Sequence, residues 1–265
     1  MLELNKIYQG DCLEIMKDID DNSIDLTVTS PPYDNLRTYN GYTFDFENIA
    51  KELFRVTKIG GVVVWIVGDA TINGSETGTS FKQALYFKEI GFNLHDTMIY
   101  GKSNPMPINA NRYENAFEYT FVLSKGKPKS VNLIKEKSKT AGTINRGTYY
   151  KPDGTTVKKT GSGKLVKDYK VKSNIWFYPV GNNNTKGHPA VFPEKLAEDH
   201  IISWSNENDI ILDPMCGSGT TCKMALKNNR NYIGIEISPE YVDIANKRIE
   251  KFKKQLTFKE VLKWN

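Results

Sequence analysis

A short buried-strand run, Asn208-Asp209-Ile210-Ile211-Leu212-Asp213, passes without a break into Pro214-Met215-Cys216-Gly217-Ser218-Gly219-Thr220-Thr221 and then into a helix-like stretch. Strand, glycine turn and helix start in direct succession open a parallel α/β unit, because parallel neighbours need a crossover and a helix usually supplies it. The rest of the chain repeats the pattern. Apolar runs at Lys6 to Gln9, Ile24 to Thr29, Gly61 to Val67, Asn93 to Tyr100, Phe117 to Ser124 and Asn231 to Glu236 alternate with helix-like stretches. Those stretches are Cys12 to Ile19, Phe46 to Val56, Thr79 to Ile90, Pro193 to Trp204, Thr220 to Asn228 and Pro239 to Gln255. The pattern predicts an α/β fold, a doubly wound and mostly parallel sheet with helices on both faces. Between Asn93 to Tyr100 and Phe117 to Ser124 lie only prolines and polar residues, so these two strands are expected to form an antiparallel pair at a sheet edge. A ligand crevice is expected outside the carboxyl ends of the parallel strands.

At 265 residues the chain exceeds what one such domain needs, and the surplus is marked by charge. Fourteen basic and three acidic residues lie between Lys125 and Lys172, a net +11 within a chain of net +5, which leaves −6 for the remainder. The stretch is rich in Gly, Ser and Thr, with turn signals at Pro152-Asp153-Gly154 and Gly161-Ser162-Gly163. It reads as a loop-rich insertion. On its own it suits either a solvated excursion or a surface for nucleic-acid phosphates, with Tyr149, Tyr150 and Tyr169 among the lysines as stacking groups or as anchors of a small fold. The chain accordingly divides into residues 1–124 as the first half of a core, 125–172 as a basic insertion, and 173–265 as the second half of the same core.

Other classes are disfavoured. No apolar stretch reaches the roughly 18 residues of a membrane span, and the first residues lack the basic start and apolar middle of a signal peptide, so a cytoplasmic location is expected. Cys12, Cys216 and Cys222 form no disulfide framework, and His95, His188 and His200 have no ligand spacing, so no metal is expected.

Two segments carry chemistry. The glycine turn lacks a third glycine at the helix start, where Thr221 and Cys222 stand, and no lysine follows as in a phosphate-binding loop, so a pyrophosphate is not the expected ligand. The next strand ends in Glu236, about twenty residues on, where a carboxylate accepts hydrogen bonds from ribose hydroxyls. In the other segment, the strand Asp25 to Thr29 is stopped by Ser30-Pro31-Pro32-Tyr33. Each proline removes a donor and fixes φ, which leaves a carbonyl acceptor facing the crevice beside the aromatic face of Tyr33.

Asp213-Pro214-Met215-Cys216-Gly217-Ser218-Gly219-Thr220-Thr221 with Ser30-Pro31-Pro32-Tyr33 resembles the S-adenosylmethionine-dependent DNA amino-methyltransferases, and the order of catalytic segment, insertion and cofactor loop looks like their beta group. The resemblance covers nearly the whole chain apart from the insertion. It implies a Rossmann-like methyltransferase fold, S-adenosylmethionine as cofactor and double-stranded DNA as partner, and admits a homodimer. It implies that Asp213, Met215, Cys216, Gly217, Ser218, Gly219 and Thr220 hold the methionine end, with Ile237 beside Glu236. His188-Pro189-Ala190-Val191-Phe192-Pro193 is similar to the family's helix-start motif, which brings Phe192 and Pro193 to the cofactor. Asp11 matches the acid that meets the adenine amino group, with Cys12 beside it, although Asp11 could instead cap the helix that follows.

The chemistry then follows from the residues. An amino group conjugated to a base is a poor nucleophile; if Ser30 and the Pro31 carbonyl accept its two hydrogens, its lone pair can be aimed at a sulfonium methyl without a covalent intermediate. A base inside a duplex must leave the stack to reach such a crevice, with Tyr33 stacking on it. Serine at position 30 resembles the cytosine-N4 members, whereas adenine-N6 members more often carry Asp there, so cytosine is the expected target and adenine the alternative. A noncatalytic nucleic-acid-binding protein of the same fold and a nicotinamide-dependent oxidoreductase are the competing classes. By position the insertion matches the family's target-recognition region. Arg112 and Tyr113 stand where the family often contacts the flipped nucleotide, and read equally well as an exposed loop pair; Asp34, Arg37 and Tyr39 receive no role.

Overall fold

The computed structural model describes residues 2–32, 44–105, 107, 111–180 and 193–262, with side chains as far as residue 255. Its strands are β1 (Lys6–Gln9), β2 (Ile24–Thr29), β3 (Thr57–Val67), β4 (Thr71–Ile72), β5 (Ser75–Glu76), β6 (Asn93–Lys102), β7 (Phe117–Ser124), β8 (Lys135–Lys137), β9 (Thr148–Tyr150), β10 (Thr156–Lys158), β11 (Tyr169–Val171), β12 (Ile175–Tyr178), β13 (Ile210–Asp213) and β14 (Asn231–Glu236). Its helices are α1 (Cys12–Met16), α2 (Phe46–Val56), α3 (Thr79–Glu89), α4 (Glu194–Trp204), α5 (Thr220–Lys227) and α6 (Pro239–Leu262). Two compact units result, one of residues 1–132 with 174–265 and the other of residues 133–173.

The first unit holds an eight-stranded sheet in the order β1-β14-β13-β2-β3-β7-β6-β12. Every neighbouring pair is parallel except the two that β7 makes, with β3 and with β6. This is the doubly wound, mostly parallel sheet the pattern predicts. The order reverses direction between β13 and β2, the switch point at which α/β sheets open a crevice. The central strands are apolar on both faces: Val62 to Val67 of β3 are all buried, as are Leu26 to Thr29 of β2.

One face packs a cluster built on Leu53, Trp65, Phe87 and Phe121. Trp65 is fully buried, and its indole nitrogen donates to Gln83 Oε1 at 2.8 Å, so its one donor is paired.

Three details differ from the pattern reading. The β6–β7 pair is antiparallel as expected, but β12 adds a parallel strand beyond β6, so the pair stands one place in from the edge. β12 escaped notice because it has four residues, of which only Trp176 and Tyr178 are buried, and it adjoins the lysine-rich stretch. α1 stops at Met16 rather than Ile19. The Arg55 guanidinium takes the carbonyls of Met16 and Ile19 at 2.7 and 2.8 Å, satisfying acceptors at the end of a short helix.

Finally, the second unit begins at Leu133, eight residues later than Lys125. Lys125 and Lys129 are held to the sheet by backbone bonds with Gly60 and Gly61, and Asn132 donates to the Ser203 carbonyl, so these residues belong to the core.

The second unit consists of two antiparallel ribbons, β8 with β11 and β9 with β10, joined by a bridge between Ile144 and Leu165. It carries eleven basic residues against three acidic ones. Two of the acids have partners within the unit: Glu136 pairs with Lys170 at 2.9 Å, and Asp153 accepts from Thr155 across the turn at Gly154. The basic residues thus far outnumber the carboxylates that could neutralise them within the unit. Tyr149, Tyr150 and Tyr169 are exposed along the ribbons.

Candidate active site

The two chemistry-bearing segments meet at the switch point. The Thr29 hydroxyl, on the residue before Ser30, donates to Asp213 Oδ1 at 2.8 Å, and both groups are buried. One residue down the strand, the Thr221 hydroxyl from the start of α5 donates to the Val28 carbonyl at 3.0 Å. Ser30 and Pro31 therefore leave β2 beside the strand end from which the glycine loop departs. Ser30 is half-buried, Pro31 buried and Pro32 half-buried. Tyr33 lies outside the described residues, as do Asp34, Arg37, Tyr39, His188 and Phe192.

The glycine loop is shaped by backbone bonds to the next strand. Cys216 N–H donates to the Ile235 carbonyl at 2.8 Å, and Gly219 N–H turns back to the Cys216 carbonyl at 2.7 Å. Gly217 and Gly219 have φ of 48° and 75°, left-handed values that favour glycine. At Gly219 a Cβ would also lie 3.0 Å from the Ala245 Cβ of α6. Ser218 and Thr220 are buried, while Met215 is half-buried against the core.

Glu236 ends β14 with its carboxylate between two turns. Oε2 accepts from Gly217 N–H at 2.8 Å and Oε1 from Ser238 N–H at 2.9 Å, and the Glu236 carbonyl accepts from Gly10 N–H at 3.0 Å. Each carboxylate oxygen keeps a further lone pair. The register Gln9 opposite Glu236 brings the β1 end, with Asp11 and Cys12, to the same rim, where half-buried Ile237 follows. Asp11 does cap α1, Oδ1 accepting from Leu13 N–H at 2.7 Å. Burial, then the neighbouring Asp11, pushes the Cys12 thiol up to about 12, and hydrogen bonding to Cys222 followed by burial raises Cys216, so neither is a thiolate nucleophile at neutral pH. Pro193 is buried as the N-cap of α4.

Burial raises the carboxyl of Glu236 above its usual range and carries Asp213 up to about 6, against the hydrogen bonds from Thr29 and the Met215 amide. A buried carboxylate at the strand end, with lone pairs still free, repels a phosphate chain and suits the hydroxyls of a ligand carrying a ribose. S-adenosylmethionine has that form, and Glu236 and the glycine loop are the residues that would hold it. Asp213 Oδ1 accepts from both the Thr29 hydroxyl and the Met215 amide, which braces the start of the glycine loop. The residue that sequence reading missed is Thr29; its one signal was a hydroxyl at the end of an otherwise apolar run.

Because the folded-state carboxyl of Asp213 is raised, its contribution to stability is complete below about pH 4 and is lost as pH rises through about 6. The thermal midpoint of Asp213→Asn relative to the unsubstituted protein should thus climb between pH 5 and pH 7 by roughly 2–4 °C or more. A constant difference across that range would show that Asp213 does not titrate there.

A mostly parallel sheet with one reversed strand, an acid-rimmed glycine loop and a prolyl turn at its switch point define a Rossmann-like methyltransferase. Residues 24–247 match the N6_N4_Mtase family, described as DNA methylase. The chain is 58% identical over 245 residues to the orphan methyltransferase M.BamHII of Bacillus amyloliquefaciens, covering 89% of this chain and 92% of that protein. It is 30% identical to the type II methyltransferase M.HinfI of Haemophilus influenzae, over 94% of this chain and 69% of that one. Among solved structures, the cytosine-N4-specific PvuII DNA methyltransferase superposes with a TM-score of 0.69 at 22% identity, covering 94% of this chain and 89% of that one. M1.HpyAVI in complex with S-adenosylmethionine superposes at 0.61 and 28% identity, covering 92% and 98%. The chain belongs to the N6_N4 DNA methylase family and is an S-adenosylmethionine-dependent DNA methyltransferase. Among the described residues no helix is long and apolar enough to cross a membrane.

Proposed function

We propose that this enzyme methylates the exocyclic N4 amino group of cytosine in a base extruded from double-stranded DNA. The observation that carries the reading is the Thr29–Asp213 hydrogen bond, because it sets Ser30 beside the cofactor loop. The cofactor, when bound, supplies an electrophilic methyl. Ser30 and the Pro31 carbonyl accept the two amino hydrogens, and Tyr33 stacks on the ring. Glu236 receives the ribose hydroxyls, the backbone of residues 216–220 surrounds the methionine end, and Asp11, Cys12, Ile237, Phe192 and Pro193 complete the walls. Serine rather than Asp at position 30 favours cytosine over adenine. Mass analysis of nucleosides from DNA methylated by the protein tests this directly. N4-methylcytosine is the expected product, and methyladenine alone would replace cytosine by adenine as the target.

Residues 133–173 are proposed to bind the DNA. Lys158, Lys159, Lys164 and Lys167 are exposed in that unit. Each phosphate that a lysine no longer neutralises should flatten the slope of log K against log salt by about 0.9. The fourfold Lys→Gln variant should bind DNA with a measurably shallower slope; an unchanged slope would mean that this unit does not meet the phosphates. A cytoplasmic location is proposed with this reading.

A further inference from the structure

Arg248 of α6 reaches the underside of the glycine loop, with its side chain 13% exposed. Nη1 donates to the Ser218 carbonyl at 3.1 Å, the Ser218 hydroxyl oxygen at 3.1 Å and the Thr220 hydroxyl oxygen at 3.0 Å. Nη2 donates to Oε1 of Glu194, the first residue of α4, and Lys223 of α5 donates to the same oxygen at 2.7 Å. A cation at the N-terminus of α5 opposes that helix's dipole, so stabilising α5 does not account for it.

The effect of the arginine is directional. A hydroxyl has one proton to give, and a guanidinium donates only. With Arg248 donating to both hydroxyl oxygens, the protons of Ser218 and Thr220 are turned away from it, and among the described residues no acceptor receives either.

We propose that Arg248 is a positioning residue for cofactor capture. It sets the Ser218 and Thr220 hydroxyls as donors for the carboxylate at the methionine end of S-adenosylmethionine, and it ties the glycine loop to the start of α4. The proposal rests on the cofactor reading of this loop, and it assigns to α6 a function that no local motif announces.

The test compares two ligands by calorimetry on the full chain: S-adenosylmethionine, and 5′-methylthioadenosine, which keeps the adenosine and thioether but lacks the amino-acid end. Arg248→Lys retains the charge but not the planar fork. It should weaken S-adenosylmethionine by roughly tenfold, the scale of one charge-assisted hydrogen bond, and leave methylthioadenosine within about twofold. Ser218→Ala should show the same selectivity, and the double variant should be little worse than either single one. Equal weakening of both ligands, or undiminished S-adenosylmethionine binding, would overturn the proposal. If Arg248→Lys does not fold, Ser218→Ala decides the matter alone. Failure of the unsubstituted protein to bind S-adenosylmethionine would instead refute the cofactor reading.

Discussion

Glu236→Gln is expected to weaken S-adenosylmethionine by roughly ten- to a hundredfold, despite preserving size and shape. Both carboxylate oxygens of Glu236 accept backbone N–H groups, from Gly217 on one side and Ser238 on the other. A glutamine amide must present an NH2 group to one of them, so donor faces donor in a buried turn. A hydrogen bond to a charged acceptor contributes about 1.5–3 kcal/mol, and here its loss falls on the loop that wraps the cofactor. Turnover at saturating cofactor should change by only a few fold, because Glu236 lies away from the reacting nitrogen. Calorimetry together with saturation kinetics separates the two effects. An unaltered affinity would mean that the carboxylate neither shapes the loop nor meets the ribose.

The reverse division is expected at the prolyl turn. Tyr33→Ala should lower kcat by roughly ten- to a hundredfold, since stacking of a base on an aromatic ring is worth about 1–3 kcal/mol, and Tyr33→Phe should restore most of the rate. Ser30→Ala should cost about a hundredfold, the scale seen when one hydrogen-bonding partner of a developing charge is removed. In all three variants the affinity for S-adenosylmethionine should stay within about twofold. Loss of cofactor affinity in parallel with kcat would place these residues in loop architecture instead of chemistry.

Much of this site is legible in the sequence because its chemistry sits at strand ends, where composition changes abruptly. Asp213 to Thr220 and Ser30 to Pro32 each break an apolar run, and Glu236 is an acid closing another. The groups that hold these segments together announce themselves poorly. Thr29 reads as one more β-branched residue, although its hydroxyl joins the two halves of the site. Arg248 lies 30 residues from Ser218 in sequence, in a helix whose charges look like an ordinary solvated face.

The fold shows the same division. β3 and β14 declare themselves by continuous burial, whereas β12 depends on pairing with β6, a long-range contact that four residues cannot signal alone.

The points at which the chain leaves and rejoins the sheet bear on how such an enzyme diversifies. Asn132 is fastened to the backbone of Ser203 and Ser205, and Asn174 to Thr97 and Ile99. Whatever is spliced between those two asparagines, the register of β6 and the seat of α4 are already secured by the clamps. If residues 133–173 read the DNA as proposed, recombination that exchanged one excursion for another of different length would give the same methylation engine a new address on the genome.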